Sequence, residues 1–195
     1  MYMMTLREKN RRRMLYETQR EAMKLFLSRG FDCVPVEDIA AVVGVAGSTI
    51  YRHFKTKEGI VLWDEHDEAL DVGLTGRLKS QAPLEAIRDA FVQTLAQRYQ
   101  TDFDFQLARV SFIYATPALH AAAIEADFRA REELTQALAR TLSRKHKAAA
   151  QLLAGASLLA LDVAMDRWQA CKGECGLDTL IAAEFDRLAG LAAIH

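Results

Sequence analysis

Residues that interrupt helices or cross-link a chain are scarce in this sequence. Its 195 residues include three prolines, ten glycines and three cysteines. Few prolines and glycines favour long helices, and a sparse, odd set of cysteines argues against the disulfide framework of a small secreted protein. Because 51% of the residues are hydrophobic and no segment alternates in the manner of a strand, we expect an all-α fold with an ample core.

Long hydrophobic runs and catalytic motifs are also lacking. The longest apolar run, Leu152–Leu161, is too short to cross a bilayer, and the charged first 14 residues do not resemble a signal peptide. The sequence contains no glycine-rich phosphate loop, nucleophile elbow or metalloprotease signature. We therefore expect a soluble cytoplasmic protein that is not an enzyme, does not bind a membrane and needs no cofactor or metal.

Helical periodicity, by contrast, runs along the whole chain. The spacing of apolar residues and the positions of the glycines predict about nine helices. The predicted helices cover residues 5–29, 36–43, 46–54, 58–79, 83–101, 104–114, 119–142, 148–171 and 178–195.

Charge divides the chain into two parts. Residues 1–57 contain eleven basic and six acidic residues, a net charge of +5, whereas residues 58–195 have a net charge of −6. A basic segment joined to an acidic one suggests that only the basic segment meets a polyanion, although chance clustering would look the same. The change of sign predicts a domain boundary between residues 57 and 58.

The segment from Phe31 to Glu58 combines two short helices with a tight turn. Its apolar residues let both helices pack against the first, and Gly44 lies where the turn requires a positive φ. This is the layout of a helix-turn-helix. The second helix has no acidic residue between Ala46 and Lys57, and its outer face is made of hydroxyl, guanidinium and small side chains. Such a face suits the major groove of DNA and its flanking phosphates.

These residues resemble the DNA-binding domain of the TetR family of bacterial transcriptional regulators. The matching motifs are Ile39-Ala40, Gly44-Val45, Thr49-Ile50-Tyr51-Arg52-His53-Phe54 and Lys57-Glu58. The resemblance implies a three-helix DNA-binding domain at 1–57 and a larger helical domain at 58–195 for effector binding and dimerisation. It further implies a homodimer that binds a palindromic double-stranded DNA operator, usually as a repressor, and leaves it when a small-molecule effector binds. The last two helices, rich in small residues, would pair with those of the second copy.

The resemblance also assigns roles to single residues in and beside the recognition helix. The DNA-contacting positions that it implies are Gly47, Ser48, Thr49, Tyr51, Arg52, His53 and Lys57. The first three match positions that face base edges, whereas the tyrosine, the histidine and the lysine match positions that reach phosphates. The arginine matches a variable position that reaches either a base or a phosphate.

Two positions depart from the family pattern. Family members commonly carry threonine where Pro35 stands and serine where Ala46 stands, and each of those residues caps a helix. Both caps are therefore expected to be absent, at a typical cost of about 0.5–2 kcal/mol each. The uncapped N–H groups remain able to bind phosphate.

The acidic part of the chain carries many aromatic residues and a few isolated polar ones. Most are expected to form the core, but a helical bundle of this kind can also enclose a cavity for an apolar or amphipathic effector. The candidate pocket residues are Trp63, Phe91, Phe105, Arg109, Phe112, Phe128, Asp162 and Trp168. The arginine and the aspartate could each orient a ligand or belong to an ion pair instead.

Two further features have plainer explanations. The acidic stretch 64–68 is more typical of a solvated helix face than of a metal site. Cys171 and Cys175 are spaced for a redox pair, but free thiols at a helix end are commoner.

Two other functions stay open. A small helical enzyme or ligand carrier would need a catalytic constellation that the sequence does not show. A DNA-binding protein of the nucleoid type would bind every duplex without preference between sequences.

Overall fold

The computed structural model of the chain describes residues 5–63, 73–142 and 144–191, which form helices and the turns between them. Its α-helices are α1 (Leu6–Arg29), α2 (Val36–Val43), α3 (Gly47–Phe54), α4 (Lys57–Leu62), α5 (Pro83–Phe91), α6 (Gln97–Thr101), α7 (Phe103–Ala115), α8 (Pro117–Thr141), α9 (Ala150–Ala170) and α10 (Leu177–Leu191). Residues 73–77 are also helical, a π-helical turn at Val92–Ala96 joins α5 to α6, and a 3-10 turn at Arg144–Ala149 precedes α9. The predicted all-α class is confirmed, and the ten α-helices named above for the described part of the chain are close to the predicted nine.

The chain packs as two compact units. The first unit, called the head, contains described residues 5–63 together with Phe112–Ala123; the second, called the body, contains described residues 73–111 and 124–191. The end of α7 and the start of α8 therefore belong to the head. This division concerns packing, and the functional boundary expected between residues 57 and 58 stays a prediction.

Helix α1 is the central support of the head. It begins with a capping box, in which the Thr5 hydroxyl accepts from the Glu8 N–H at 3.3 Å and the Glu8 carboxylate accepts from the Thr5 N–H at 2.7 Å. Near its other end Phe26 is fully buried, with its ring centroid 5.0 Å from that of Phe31 and 6.3 Å from that of Phe112. This aromatic cluster joins α1 to the loop before α2 and to α7.

The long helix predicted over residues 58–79 is interrupted. Helix α4 ends at Leu62, and Trp63 has an extended backbone with ψ 130°. Gln19, fully buried on α1, donates from Nε2 to the carbonyl oxygens of Ile60, Val61 and Trp63 at 2.8–3.0 Å. The amide thereby satisfies carbonyls that a continuing helix would bond itself, so a tertiary contact accompanies the end of α4. Residues 64–72, which include the acidic stretch 64–68, lie outside the described residues.

Helices α9 and α10 form an antiparallel hairpin within the body. Small residues on one face of α9, among them Ala154, Ala160 and Ala164, are buried and allow close approach, while α10 contributes Ile181 and Phe185 to the same core. These alanines therefore pack within the chain.

A buried carboxylate fastens the two helices of this hairpin. Glu184 on α10 accepts from Arg167 Nη1 on α9 at 2.6 Å and also pairs with Arg187 one turn further along α10. Only 8% of the Glu184 side chain is exposed, whereas both arginines keep about half of theirs in solvent. We expect this ion pair to stabilise the fold, because two arginines that stay hydrated offset the cost of burying a single carboxylate.

We predict that Glu184→Gln lowers the free energy of unfolding by about 1–3 kcal/mol, because it removes a charge-assisted bond inside the structure. The matched control is Asp186→Asn, since Asp186 lies two residues away, is 75% exposed and is 3.8 Å from Arg88. That change should cost less than about 1 kcal/mol. Urea unfolding measures both, and equal losses would contradict a structural role for the buried carboxylate.

Candidate functional site

Helices α2 and α3 form the predicted helix-turn-helix. Gly44 adopts the left-handed conformation (φ 75°, ψ 33°), and its N–H donates to the Ala40 carbonyl at 2.9 Å. The Val45 N–H donates to the same carbonyl at 3.0 Å. Ile39 and Ile50 are fully buried, one from each helix, and hold the pair against the rest of the head. The turn needs a residue that tolerates positive φ, which is why glycine stands there.

One face of α3 points to solvent. Its exposed side chains are Ser48, Tyr51 and Arg52, and exposed Lys55 follows as the C-cap with a non-helical backbone. The three helical residues are three and one positions apart and share a single face, while Ile50 and Phe54 are buried on the other. Gly47, Thr49 and His53 flank the exposed face and are half-buried. The helix thus offers hydroxyl, phenol and guanidinium groups together, with no carboxylate among them.

Helices α2 and α3 both begin without a side-chain cap. Pro35 and Ala46 occupy the N-cap positions, and neither makes a side-chain hydrogen bond to the first turn of its helix. The expected loss of both caps is therefore visible. The first N–H groups of each helix keep their capacity to donate, and such groups are well placed to bind an anion.

The C-terminal end of α3 lies in a positive environment. Partial burial lowers the pKa of His53, and the charges of Arg52 and Arg11 lower it further. Arg11, from the basic run at residues 11–13, thus lies close enough to α3 to act on it. A phosphate placed here would instead favour the protonated imidazole, since an opposite charge stabilises the charged form.

Lys57 has partners within the head. Its Nζ donates to the Phe31 carbonyl at 2.8 Å and to the Val34 carbonyl at 3.4 Å, and lies 4.2 Å from the centroid of the Phe31 ring. The lysine therefore holds the loop before α2 to the start of α4. Its contact with the DNA backbone stays a prediction. In that contact the ammonium would donate to a phosphate as well as to carbonyls of the loop before α2.

Gly59 is a position whose importance the sequence did not reveal. A Cβ on this glycine would overlap the carbonyl oxygen of Phe54, the last residue of α3. The chain can turn from α3 into α4 this tightly because no side chain stands there. Gln19 was likewise missed, since a glutamine within a charged amphipathic helix carries no signal that it will be buried.

The candidate pocket residues fall in both units, and their role in a common site stays a prediction. Trp63 and Phe112 belong to the head, where Trp63 packs edge-on against Phe54 at 6.2 Å and Phe112 stacks on Phe26. In the body, Phe128 is exposed beneath the Arg131 guanidinium, 4.8 Å from the ring centroid.

The structure brings Arg109 and Trp168 together through Tyr99. Buried Arg109 donates from Nε to Gln106 at 3.0 Å and from Nη2 to the Tyr99 hydroxyl at 3.3 Å, and the Tyr99 ring lies edge-on to Trp168 at 5.1 Å. Phe91 lies in the same hydrophobic core, and Phe105 is half-buried. Gln106, fully buried, is a further polar residue of this cluster, and no pattern in the sequence indicates it.

Asp162 lies apart from this interior cluster, on the solvent-accessible side of α9. Loss of hydration, followed by the charges of Asp127 and Asp166, raises its pKa to about 6. A carboxyl whose folded-state pKa is raised destabilises the fold where it is ionised, so its contribution improves as the pH falls through 6. Its role in a ligand site stays a prediction.

Two family models match the chain. The model of bacterial regulatory proteins of the tetR family matches residues 20–62, and the model of the MftR C-terminal domain matches residues 81–192. A curated relative, the HTH-type transcriptional regulator TcmR of Streptomyces glaucescens, is 31% identical over 147 residues, which are 72% of this chain. The match spans 63% of the length of that relative.

Solved structures with the same fold include two repressors. NalD of Pseudomonas aeruginosa, the secondary repressor of the MexAB-OprM multidrug efflux pump, superimposes with a TM-score of 0.57 at 19% identity, covering 92% of this chain and 95% of that one. FadR of Thermus thermophilus, a TetR family repressor in complex with lauroyl-CoA, gives 0.53 at 20% identity, covering 90% and 93%. At these identities the likeness concerns the fold.

We predict opposite outcomes for two glycine substitutions in the head. Gly59→Ala should lower the free energy of unfolding by about 1–3 kcal/mol, because the methyl group must displace the Phe54 carbonyl. Gly47→Ala, where the nearest atom to a new Cβ is a Glu37 oxygen at 3.9 Å, should be neutral or raise stability by up to about 1 kcal/mol. Thermal unfolding checks both, and a stable Gly59→Ala protein would show that the α3–α4 junction is loose.

Proposed function

The chain belongs to the TetR family of bacterial regulatory proteins, and we propose that it is a sequence-specific DNA-binding transcription regulator that acts as a homodimer and responds to a small molecule. The observation that carries the proposal is the acid-free exposed face of α3, set on a helix-turn-helix. Residues 1–57 would bind DNA, and residues 58–195 would dimerise and bind the effector. We propose no catalytic role, and DNA binding would place the protein in the cytoplasm.

On DNA, α3 would lie in the major groove. Arg52 and Ser48 are exposed on its outward face, and Thr49 lies at the edge of that face, so these three would meet base edges. Tyr51 and His53 would reach phosphates on either side of the groove. The uncapped N–H groups at the starts of α2 and α3 would add contacts that depend on the backbone alone. In a homodimer two such helices would enter successive major grooves of a palindromic site.

Repression follows from this geometry more simply than activation does. A dimer seated on a palindromic operator occupies DNA that other proteins would use, and no further contact is needed. An effector that binds the body would favour a form of the dimer with lower DNA affinity and so release the operator.

Dimerisation is supported by the outer face of α9. Leu152 and Leu159 lie two turns apart on one side of the helix and are 76% and 62% exposed. The segment Lys147–Ala170 is long and apolar enough, by length and composition, to cross a membrane, yet only 28% of its most apolar window is buried within the chain. A single helix of this kind is weak evidence for a membrane. A second copy of α9 would cover the leucines and fits the family.

Effector binding is supported by polar groups inside the body. The Ser157 hydroxyl on α9 is fully buried and has no hydrogen-bond partner among the described residues. The network of Arg109, Gln106 and Tyr99 adds further buried donors and acceptors. Because buried polar groups nearly always have partners, an orphan hydroxyl in an apolar core favours an amphipathic ligand over a purely apolar one.

We predict that DNA contacts separate into two classes. Arg52→Ala and Thr49→Ala should weaken binding to an operator selected from random duplexes more than to scrambled DNA, with Arg52 contributing about 1–3 kcal/mol if it bonds a guanine. Lys57→Ala should weaken both equally and reduce the salt slope by about 0.9 per half-site. Lys57→Ala should also lower the melting temperature, since its Nζ holds two carbonyls.

Titrations at several salt concentrations measure these effects, and Lys79→Ala, an exposed lysine in the body, is the charge-matched control. Unchanged affinities for all three head variants on both duplexes would show that α3 does not enter the groove.

We predict that Leu159→Glu converts the dimer to monomers, because a carboxylate would be buried without a partner in the α9 contact. Deleting α10 is not a usable test, since Leu177, Ile181 and Phe185 belong to the core of the body. Leu27→Glu, at an exposed leucine of the head, is the matched control and should remain dimeric. Sedimentation at micromolar concentration decides the matter. A monomeric native protein, or one recovered only with membranes, would contradict the proposed interface.

We predict that Ser157→Ala leaves the ligand-free protein equally stable or more stable by about 1 kcal/mol, because it removes an unsatisfied buried hydroxyl. The contrasting variant is Thr18→Val, since the buried Thr18 hydroxyl donates to the Met14 carbonyl at 2.8 Å and its loss should destabilise the head. An amphipathic compound at one hundred times its Kd should stabilise the native protein by about 2.7 kcal/mol and weaken DNA binding.

Ser157→Ala should reduce that stabilisation. Reciprocity then requires DNA to weaken binding of the compound by the same factor. A compound that stabilises the protein without that reciprocal effect would contradict effector-controlled release.

A further inference from the structure

The turn between α9 and α10 is held in one conformation by its own backbone. The Gly173 N–H donates to the Trp168 carbonyl at 2.9 Å, and the Glu174 N–H donates to the Cys171 carbonyl at 3.0 Å. Lys172 and Gly173 have φ values of 51° and 74°, so two consecutive left-handed residues reverse the chain. Because the left-handed conformation is unfavourable for a lysine, the surrounding contacts must stabilise it.

Aromatic packing holds the same turn from one side. A Cβ on Gly173 would overlap the Phe103 ring and come within 3.3 Å of the Trp168 ring. These two rings pack edge-on at 6.0 Å, and Trp168 is fully buried. The glycine therefore presses its backbone against two large side chains of the body.

Two cysteines lie on this turn. The Cys175 N–H donates to Cys171 Sγ at 3.2 Å, and the Cys171 thiol donates to the Trp168 carbonyl at 3.4 Å. Both cysteines are free; Cys175 is exposed and Cys171 is half-buried. The pair thus has one sulfur bonded to the backbone of the other cysteine, a fixed turn and access to solvent.

We propose that Cys171 and Cys175 form a dithiol site that reacts with small disulfide compounds and closes into an intramolecular disulfide. This site is independent of the DNA-binding face and of the buried Ser157. Disulfide formation would modify the body covalently, in addition to the reversible binding of the effector in the proposed function.

The reaction proceeds by two exchanges. The Cys171 thiolate attacks one sulfur of a small disulfide; the sulfur–sulfur bond of that compound breaks, and one thiolate leaves and takes a proton from water. Cys175 then gives its proton to water, and its thiolate attacks Cys171 Sγ and expels the second small thiolate. The protein loses two electrons and two protons, and the small disulfide is reduced to two thiols.

Electrostatics support this order of events. Partial burial raises the pKa of the Cys171 thiol, but hydrogen bonds from the Cys175 side chain and from the Cys175 and Gly173 backbone outweigh it, so the net shift is downward. The hydrogen bond with Cys171, partial burial and nearby negative charge raise the pKa of Cys175. Cys171 is therefore the more readily ionised thiol and the first to attack, while Cys175 resolves the mixed disulfide.

The test uses the full chain and oxidised glutathione under native conditions, followed by alkylation and peptide mapping. We expect Cys171 and Cys175 to lose their thiols together and to yield a linked peptide lighter by two hydrogens, while Cys33 stays alkylatable. Cys175→Ser should trap glutathione on Cys171, and Cys171→Ser should slow the first step about tenfold or more.

Cys33→Ser is the control and should behave like the native chain, which separates the site from the remaining exposed cysteine. Fluorescence of Trp168 in a Trp63→Phe background should change together with disulfide formation, because its ring and carbonyl both contact the turn. A stable glutathione adduct on the native chain without closure would overturn the proposal. So would a Cys171→Ser protein that reacts as fast as the native one.

Discussion

The head depends on the burial of one face of α1. Ala22, Met23 and Phe26 are fully buried along that face, and the aromatic cluster around Phe26 fixes the loop that leads into α2. Helix α2 then holds α3 through the Gly44 turn, and apolar contacts of Ile39 and Ile50 fix the two helices to the rest of the head. Hydrophobic burial is non-directional, and the turn geometry supplies the direction that it lacks. The carboxylate-free face of α3 can meet DNA only because α1 and α2 hold that helix in a fixed orientation within the head.

Polar side chains complete the head where helix ends would leave backbone groups without partners. Gln19 meets the last carbonyls of α4, and Lys57 meets carbonyls in the loop before α2. The glutamine reaches from α1 to α4, and the lysine reaches from α4 to the loop. They link α4 to α1 on one side and to the loop on the other, so α4 cannot move without breaking hydrogen bonds.

Local patterns in the sequence predicted the head well and the body less completely. The bounds of α2 and the turn at Gly44 follow from short-range periodicity and from the need for positive φ, and both agree with the structure. The end of α4 at Leu62 coincides with hydrogen bonds from Gln19, about forty residues earlier, and no local pattern carries that information. The same holds for Phe112, which the sequence grouped with the acidic part and which packs in the head. For the candidate pocket, the sequence identified Trp168 and Arg109 but not Gln106, because burial of this glutamine is decided by helix packing.

Helix α9 has two apolar faces on opposite sides. One face is built of alanines that let α10 approach, and the opposite face exposes Leu152 and Leu159. A helix that packs within its own chain on one side and, as proposed, against a second copy on the other is apolar nearly all round, which is also the composition of a membrane span. The alanine face and the buried Glu184 stabilise the hairpin before any partner arrives. A partner that covers the leucine face would then stabilise the body by mass action, so dimerisation and body stability would rise together with protein concentration.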